Sequence, residues 1–239
     1  MKLSPVAKKE LASYFNSPIA YIVVVAYLFV TAIVLFFLNG FFVQNEASLR
    51  GYFGFVPIIF IFLIPALTMR SWAEERKSGT LEILLTLPFR EAEVVAGKFL
   101  AAMALLGCMI GLSVILPLSL NRLGSFDAGQ IFCQYFGIIL VGACGISMGL
   151  LISSLSSNQI SSYIFCGLAL LAFTLAGQLN EVLSLPGWLA ASLNAASFSF
   201  HFDSFAKGII DTRDLAYFVI LCAVFLFLNA QVLIRRKWS

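Results

Sequence analysis

Charged side chains are scarce in this chain. Only 11% of its 239 residues are Asp, Glu, Lys or Arg, whereas 61% are hydrophobic. Soluble domains carry roughly 25% charged residues. A water-soluble fold of this composition could not cover its surface, so the sequence predicts an integral membrane protein.

Residues and motifs of common catalytic sites are also few. His201 is the single histidine and lies in the predicted outer segment Leu179–Asp214. A lone histidine in an outer segment is more often an interfacial side chain than a ligand. The motifs H-E-x-x-H and G-x-S-x-G do not occur. Gly97-Lys98-Phe99 is the nearest approach to a phosphate-binding loop, but Ala92 stands where that loop requires glycine and Phe99 where it requires Ser or Thr. We expect no catalytic residue, no metal site, no bound cofactor and no ATP site in this chain.

The five cysteines indicate neither a disulfide framework nor a metal site. All of them lie in or beside apolar runs, their number is odd, and no pair has the spacing of metal ligands. The sequence therefore predicts small buried side chains at Cys108, Cys133, Cys144, Cys166 and Cys222.

A helix needs about 20 mostly apolar residues to cross a bilayer. Six segments of this chain have that length and apolarity, and none of them contains Asp, Glu, His, Lys or Arg. These six segments are Ile19–Phe42, Tyr52–Met69, Phe99–Leu120, Ile131–Ser153, Ile160–Gln178 and Leu215–Ile234. Ion-coupled carriers usually place an ionisable group at mid-membrane to bind the coupling ion. We therefore expect an all-α fold, a single domain over 1–239 with six transmembrane helices, whose energy comes from a partner.

Prolines and glycines in these segments predict how the helices pack. Pro57 and Pro65 lie in the second segment, where neighbouring helices must satisfy the freed carbonyls, so we expect a bent span inside the bundle. The third and fourth segments each have small residues on one helical face, at Gly107-x-x-x-Gly111 and Gly145-x-x-x-Gly149. This spacing favours close helix contact, within one chain rather than across a dimer.

Lys and Arg indicate the orientation of the chain, because cytoplasmic loops hold the excess of basic residues. With the N-terminus inside, 11 of the 15 basic residues lie on the cytoplasmic side, in 1–18, 70–98 and 235–239. The outer side keeps only Arg50, Arg122, Lys207 and Arg213. The sequence therefore predicts that both termini are cytoplasmic.

Two further segments are predicted to lie in the membrane interface. In 1–18, the apolar side chains share one helical face, which is typical of an amphipathic helix on the cytoplasmic leaflet; they are Leu3, Ala7, Leu11, Tyr14 and Phe15. The outer segment Leu179–Asp214 is too long for a turn and too apolar for disorder. Its aromatic residues favour short re-entrant or interfacial helices.

The charge that the spans lack is concentrated in the cytoplasmic segment Arg70–Lys98, which holds ten of the chain's 27 charged side chains. Gly79 is expected to end the helix that continues from the second span. Thr80 is expected to cap a short second helix, and Pro88 to end it. The leucines of this short helix, Leu81, Leu84, Leu85 and Leu87, are expected to form an apolar surface, the leucine patch.

Acidic and basic side chains are mixed in this segment, so adhesion to an anionic leaflet explains it poorly. We interpret the segment as a docking surface for a protein. The residues expected to dock are Glu74, Glu75, Arg76, Lys77, Gly79, Thr80, Leu81, Glu82, Leu84, Leu85, Leu87 and Pro88.

Residues 70–88, RSWAEERKSGTLEILLTLP, resemble the signature of ABC-2 type permeases, which are the membrane subunits of type V ABC transporters. The gliding-motility-associated (GldF-like) subfamily is the most similar, and permeases of nitrous-oxide-reductase maturation (NosY-like) are nearby. The stretch His201–Asp211, HFDSFAKGIID, also resembles the outer segment of GldF-like permeases. The similarity covers the whole chain, and the loop motif is its specific part.

The resemblance implies that Thr80–Leu87 is a coupling helix seated in a nucleotide-binding subunit, and that 1–18 is the elbow helix. It implies a working unit of two permease chains, identical or paralogous, with two ATPase subunits that bind the ATP and Mg²⁺. It also implies a bacterial inner membrane location, an extracytoplasmic accessory subunit as a further candidate partner, and no nucleic acid. The chain lacks the long extracellular domains of many drug and polysaccharide exporters, so the substrate does not carry over.

Three functions follow from these observations. An ATP-driven export permease is favoured. The alternative is an ATP-driven mechanical or anchoring subunit of an envelope or gliding complex that moves no solute. An ion-coupled carrier or channel is disfavoured, because the spans hold no mid-membrane charge.

Overall fold

A computed structural model describes residues 3–38, 49–82, 90–120, 126–178 and 186–237. Within these ranges the chain is helical with no strands, which confirms the all-α fold class. The helices are α1 (Leu3–Asn16), α2 (Pro18–Ile33), α3 (Arg50–Thr68), α4 (Arg70–Lys77), α5 (Glu91–Ser113), α6 (Ile115–Leu120), α7 (Ala128–Leu155), α8 (Gln159–Leu175), α9 (Gly187–Ala196), α10 (Phe198–Ala206) and α11 (Thr212–Lys237). A π-helical turn, Val34–Leu38, extends α2.

Five helical stretches in the described part of the chain have the length and apolarity to cross a membrane. They are Pro18–Phe37, Arg50–Lys77, Glu91–Leu120, Ala128–Leu155 and Thr212–Arg236. α8 is a shorter apolar helix of 17 residues. The six predicted spans therefore correspond to five long helices and one short helix.

The second and third spans continue as helices beyond their apolar segments. Met69, between α3 and α4, keeps helical torsion angles and donates its N–H to the Pro65 carbonyl, so the helical path runs on to Lys77. α5 begins at Glu91, eight residues before the apolar segment that starts at Phe99. Much of the charged region therefore consists of helical extensions of the spans.

α7 is the central helix of the bundle and contacts α3, α5, α8, α10 and α11. A Cβ added at Gly145 would lie 2.6 Å from Ile64 Cδ1, and one added at Gly149 would overlap Thr68. These two glycines therefore allow α3 and α7 to approach closely, which confirms the prediction of packing within one chain. Pro57 and Pro65 of α3 are buried, as expected for a span inside the bundle.

The glycines of the third span do not have this role. No atom lies within 4 Å of a Cβ added at Gly107 or Gly111, and both residues are exposed among the described residues. The prediction of close packing within the chain is therefore wrong for α5. Both spans have the same glycine spacing, but within the described residues only the glycine face of α7 meets another helix.

Short helices flank the spans at the two ends of the molecule. α1 packs along α5, and Tyr14 of α1 is partly buried. In the segment between α8 and α11, α10 packs against α3 and α7 and buries Phe198, Phe202 and Phe205. Trp188 of α9 remains 71% exposed.

Candidate functional site

The predicted docking residues that the structure describes lie on α4 and on the residues that directly follow it. The structure describes eight of the twelve, from Glu74 to Glu82. Leu84, Leu85, Leu87 and Pro88 fall within 83–89, outside the described residues. The described part of the site is therefore the charged approach to the leucine patch.

Gly79 ends the helix that continues from the second span, as the sequence predicts. Its φ is +71°, in the left-handed region that glycine occupies without steric cost. The Ser78 hydroxyl donates to the Glu74 carbonyl at 2.9 Å, and the Thr80 hydroxyl donates to the Glu75 carbonyl at 3.3 Å. Thr80 is itself helical, so it does not occupy the non-helical N-cap position predicted for it, and its hydroxyl instead bonds back to the last turn of α4.

The eight described docking residues differ in how much surface they offer. Glu74, Lys77, Thr80 and Glu82 are exposed, as are Arg76 and Gly79. Arg76 Nη1 also donates to the Ser156 carbonyl at 3.1 Å. Leu81 is only 7% exposed and belongs to the chain's own hydrophobic core. Surface for a partner is therefore concentrated on the polar side chains.

Lys98 is buried at the centre of a charged cluster beside α4. Its Nζ donates to Glu10 Oε1 at 3.0 Å, to Glu75 Oε1 at 2.9 Å and to the Ser71 carbonyl at 2.9 Å. These three acceptors engage all three ammonium protons. The ammonium also lies 4.7 Å from the centre of the Trp72 ring. We call Lys98, Glu10 and Glu75 the Lys98 cluster; it connects α1, α4 and α5.

The Lys98 cluster was not predicted from the sequence. In the sequence Lys98 resembles only part of an incomplete phosphate loop, and Glu75 only a docking residue. The sequence feature that could have indicated the cluster is the position of its charges. Glu75 and Lys98 lie just outside predicted apolar segments, and Glu10 lies in the amphipathic first helix. Their pairing depends on α1 packing along α5, which no sequence pattern indicated.

Tyr14 makes a second connection between α1 and the start of α4. Its hydroxyl donates to the Leu67 carbonyl at 3.1 Å and lies 3.2 Å from Ser71 Oγ. Burial, with a smaller contribution from Glu10, raises the pKa of Tyr14 to about 12. Tyr14 is therefore a neutral hydrogen-bond donor throughout the physiological pH range.

Ser153, near the end of α7, contacts the break between α3 and α4. Its hydroxyl accepts from the N–H groups of Trp72 and Ala73 at 3.2 and 3.3 Å and donates to the Met69 carbonyl at 3.2 Å. With the Lys98 cluster and Tyr14, this contact fixes α4 to α1, α5 and α7. A displacement of α4 would therefore act on three other helices.

His201 lies in the interior near the opposite end of the bundle, so its prediction as an interfacial side chain is wrong. It is 3% exposed, because α10 packs onto the bundle. Nδ1 lies 2.7 Å from Asp214 Oδ1, and Nε2 lies 3.2 Å from the Ala195 carbonyl. The ring stacks on Tyr217 with centroids 3.9 Å apart. These contacts join α9, α10 and α11.

The cysteines follow the prediction in part. Cys133, Cys144 and Cys166 are buried, Cys222 is half-buried and Cys108 is exposed on α5. All five are free thiols. Cys108 lies next to Gly107 on the face of α5 that meets no other helix in the described chain.

Comparison with known proteins adds a family match and two relatives. Residues 4–238 match the family model described as ABC-2 family transporter protein. Over 123 residues the chain is 32% identical to the probable multidrug ABC transporter permease YbhR of Escherichia coli K12, and equally to that of Escherichia coli O157:H7. The match covers 51% of this chain and 33% of each relative, so the chain aligns with about a third of their length.

Proposed function

Since this chain belongs to the ABC-2 family of transporter proteins, we propose that it is the membrane permease subunit of an ATP-driven exporter. The observation that carries this proposal is the family match over residues 4–238. The family consists of membrane permeases and implies an ABC ATPase as partner. The relatives are named as probable multidrug permeases, which supports export as the direction of transport.

We place the ATPase dock on the end of α4 and on the leucine patch that follows it. Among the described residues, Glu74, Lys77, Thr80 and Glu82 offer exposed polar surface. Leu84, Leu85, Leu87 and Pro88 complete the dock in this proposal. Glu75, Arg76 and Leu81 have contacts within the chain, so their contribution is to hold α4 in position.

The proposed mechanism uses the connections of α4. Two ATPase subunits, which hold ATP and Mg²⁺, close and displace the turn at Gly79 in each of two permease chains. Because α4 is fixed to α1, α5 and α7, the displacement shifts the bundle between arrangements with different access. The permease itself supplies no catalytic group in this scheme.

We further propose a subfamily, a membrane orientation and roles for two segments of the chain. The segment HFDSFAKGIID supports the GldF-like subfamily, and the distribution of basic residues supports an inner-membrane protein with both termini in the cytoplasm. We propose that the segment 1–18 is the elbow helix and that an accessory subunit, where one is present, contacts the outer segment 179–214. Transport is favoured over a purely mechanical role, because the relatives are named as multidrug permeases.

The test is co-purification of the ATPase with permease variants. Leu84→Asp places a charge in the leucine patch, and we expect it to reduce captured ATPase by about tenfold or more, as truncation of an interface hot spot does. Lys77→Glu should weaken capture less. Arg213→Glu reverses an equally exposed cation at the other end of the bundle and should have no effect.

Thermal melting of each variant separates loss of docking from loss of fold. Undiminished capture by a folded Leu84→Asp protein would remove the proposed dock. Export itself is tested by ATPase activity in liposomes, which should rise when a transported compound is added.

A further inference from the structure

A cavity of about 360 Å³ lies beside the Lys98 cluster, between α1, the start of α2 and the junction of α3 with α4. Its size is within the usual range of ligand pockets. One wall is apolar and consists of Ile19, Ala20, Ala66 and Leu67. These residues lie in the first turn of α2 and the last turns of α3, where two spans end.

The charged side chains that line the cavity are balanced. The cations are Lys9, Arg70 and Lys98, and the carboxylates are Glu10, Glu74 and Glu75. A ligand with a net charge would leave one charge uncompensated in a partly buried site, which is costly. The lining therefore favours a ligand that carries both charges and has no net charge.

Two buried polar atoms at this cavity have no hydrogen-bond partner within the described chain: Arg70 Nε and Glu75 Oε2. The Glu74 carboxylate is 3.8 Å from Arg70 Nε, too far for a hydrogen bond. One atom is a donor and the other an acceptor, and buried groups of either kind normally have partners. A ligand that satisfies both must bring an acceptor to Arg70 and an N–H or O–H donor to Glu75.

We propose that this cavity binds the headgroup of an aminophospholipid, a phosphate ester that bears a primary amine. Arginine matches a phosphate group in geometry and charge. The ammonium group donates to Glu75 Oε2, with Glu74 nearby on the same helix. The apolar wall covers the glycerol and the first methylenes, because it lies where two spans reach the headgroup level of the bilayer.

Soluble phosphoethanolamine compounds carry the same phosphate and amine. The lipid is favoured over them because only the lipid has acyl methylenes that can contact the apolar wall. The proposal rests on residues of this chain only. It therefore stands or falls independently of where the ATPase docks.

The experiment measures lipid retained by the purified, delipidated protein in detergent, by native mass spectrometry. Phosphatidylethanolamine, phosphatidylcholine and phosphatidylglycerol of matched acyl chains are added separately. We expect phosphatidylethanolamine to bind about tenfold more tightly than the other two, since a charge-assisted hydrogen bond has roughly this worth. Phosphatidylcholine has no N–H donor, and phosphatidylglycerol has a net negative charge. Equal retention of the three lipids would overturn the proposal.

Arg70→Gln removes the guanidinium and should reduce phosphatidylethanolamine binding by about tenfold. The other two lipids carry the same phosphate, so their weaker binding at this site should fall as well. The second variant, Glu74→Gln, removes a carboxylate near the ammonium group and should also weaken phosphatidylethanolamine binding. The Glu74 side chain is 53% exposed, so the substitution should affect folding little. Arg213→Gln is the matched control and should bind like the unmodified protein. A control variant that loses as much binding as Arg70→Gln would contradict the assignment.

Glycerophosphoethanolamine, the headgroup without acyl chains, tests the source of the ligand. We expect it to compete at least about tenfold more weakly than the lipid, because it gains nothing from the apolar wall. Competition at equal concentration would exclude the lipid as the preferred ligand.

Discussion

Lys98 has an ammonium group removed from water, with its three protons directed at two carboxylates and a carbonyl. Burying an unpaired charge costs several kcal/mol, so each member of the Lys98 cluster depends on the others. Glu10 and Glu75 are 13% and 18% exposed, so solvent screens these pairs little. The cluster therefore acts as a connection between α1, α4 and α5 that cannot lose one partner without cost.

Lys98→Met keeps much of the side-chain volume and removes the charge. Because two carboxylates are then left without their partner, we expect the free energy of unfolding to fall by about 3–5 kcal/mol. Denaturant titration in detergent micelles measures the loss. A further variant that also carries Glu10→Gln and Glu75→Gln should recover part of it.

Lys207→Met is the matched control for this prediction. Lys207 also pairs with an acid, Asp203, but both side chains are about half exposed. An exposed pair contributes about 0–1 kcal/mol, so the control should have close to the unfolding free energy of the unmodified protein in the same denaturant titration. Equal losses in the two variants would show that burial of the Lys98 cluster contributes nothing.

Which residues could be predicted from the sequence depends on how local their determinants are. Gly79 was predictable, because the left-handed conformation that ends α4 is a property of the residue itself. Lys98 and His201 were not, because their partners meet them only after the helices pack. Glu10 and Glu75 are 88 and 23 residues from Lys98 in sequence, and Asp214 is 13 residues from His201. A charged residue at the edge of an apolar segment is compatible with both a solvated and a buried position.

Among the helices, α7 shows how small residues set the geometry of the bundle. Its glycines bring the α3 backbone close, and α3 is continuous with α4 through Met69. The hydroxyl of Ser153, also in α7, donates to the Met69 carbonyl at the junction of α3 with α4. α7 therefore positions both the second span and the start of the proposed dock.

Gly149→Ala places a methyl group against Thr68, so α3 and α7 must separate. We expect a loss of about 1–3 kcal/mol in unfolding free energy, as for overpacked cores. Gly111→Ala makes the same change where no atom lies within 4 Å. It should be neutral or slightly stabilising, because alanine favours a helix over glycine by up to about 1 kcal/mol.

Thermal melting of the two variants in the same detergent measures this difference. Since both changes gain the same helix propensity, the contrast isolates the close approach of α3 and α7. A Gly149→Ala variant as stable as Gly111→Ala would contradict the packing of these two helices.

At the scale of the whole molecule, the spans were predictable because the bilayer imposes a simple requirement. About 20 apolar residues must run without charge, and that pattern is visible in any single sequence. The arrangement of the spans was not predictable, because apolar surface facing lipid and apolar surface facing another helix have the same composition. α7 is largely buried and α11 largely exposed, yet their sequences are similarly apolar.

The molecule has two polar ends, and the proposed function assigns them to opposite sides of the membrane. One end holds the Lys98 cluster, the cavity and the turn at Gly79. The other holds the buried His201–Asp214 pair and the half-exposed Arg50–Asp203 ion pair. An ATPase can act only on the cytoplasmic end, so the orientation of the chain decides whether the dock is accessible.

Single cysteines report this orientation in a variant whose five natural cysteines are replaced by alanine or serine. Ser78→Cys lies in the exposed turn after α4, and Ser192→Cys lies on the exposed surface of α9. In intact bacterial cells, an impermeant maleimide should label only Ser192→Cys, because the basic residues favour Ser78 inside. After the cells are opened, both positions should react. Labelling of Ser78→Cys in intact cells would place the turn on the outer side, where no ATP-driven subunit could reach it.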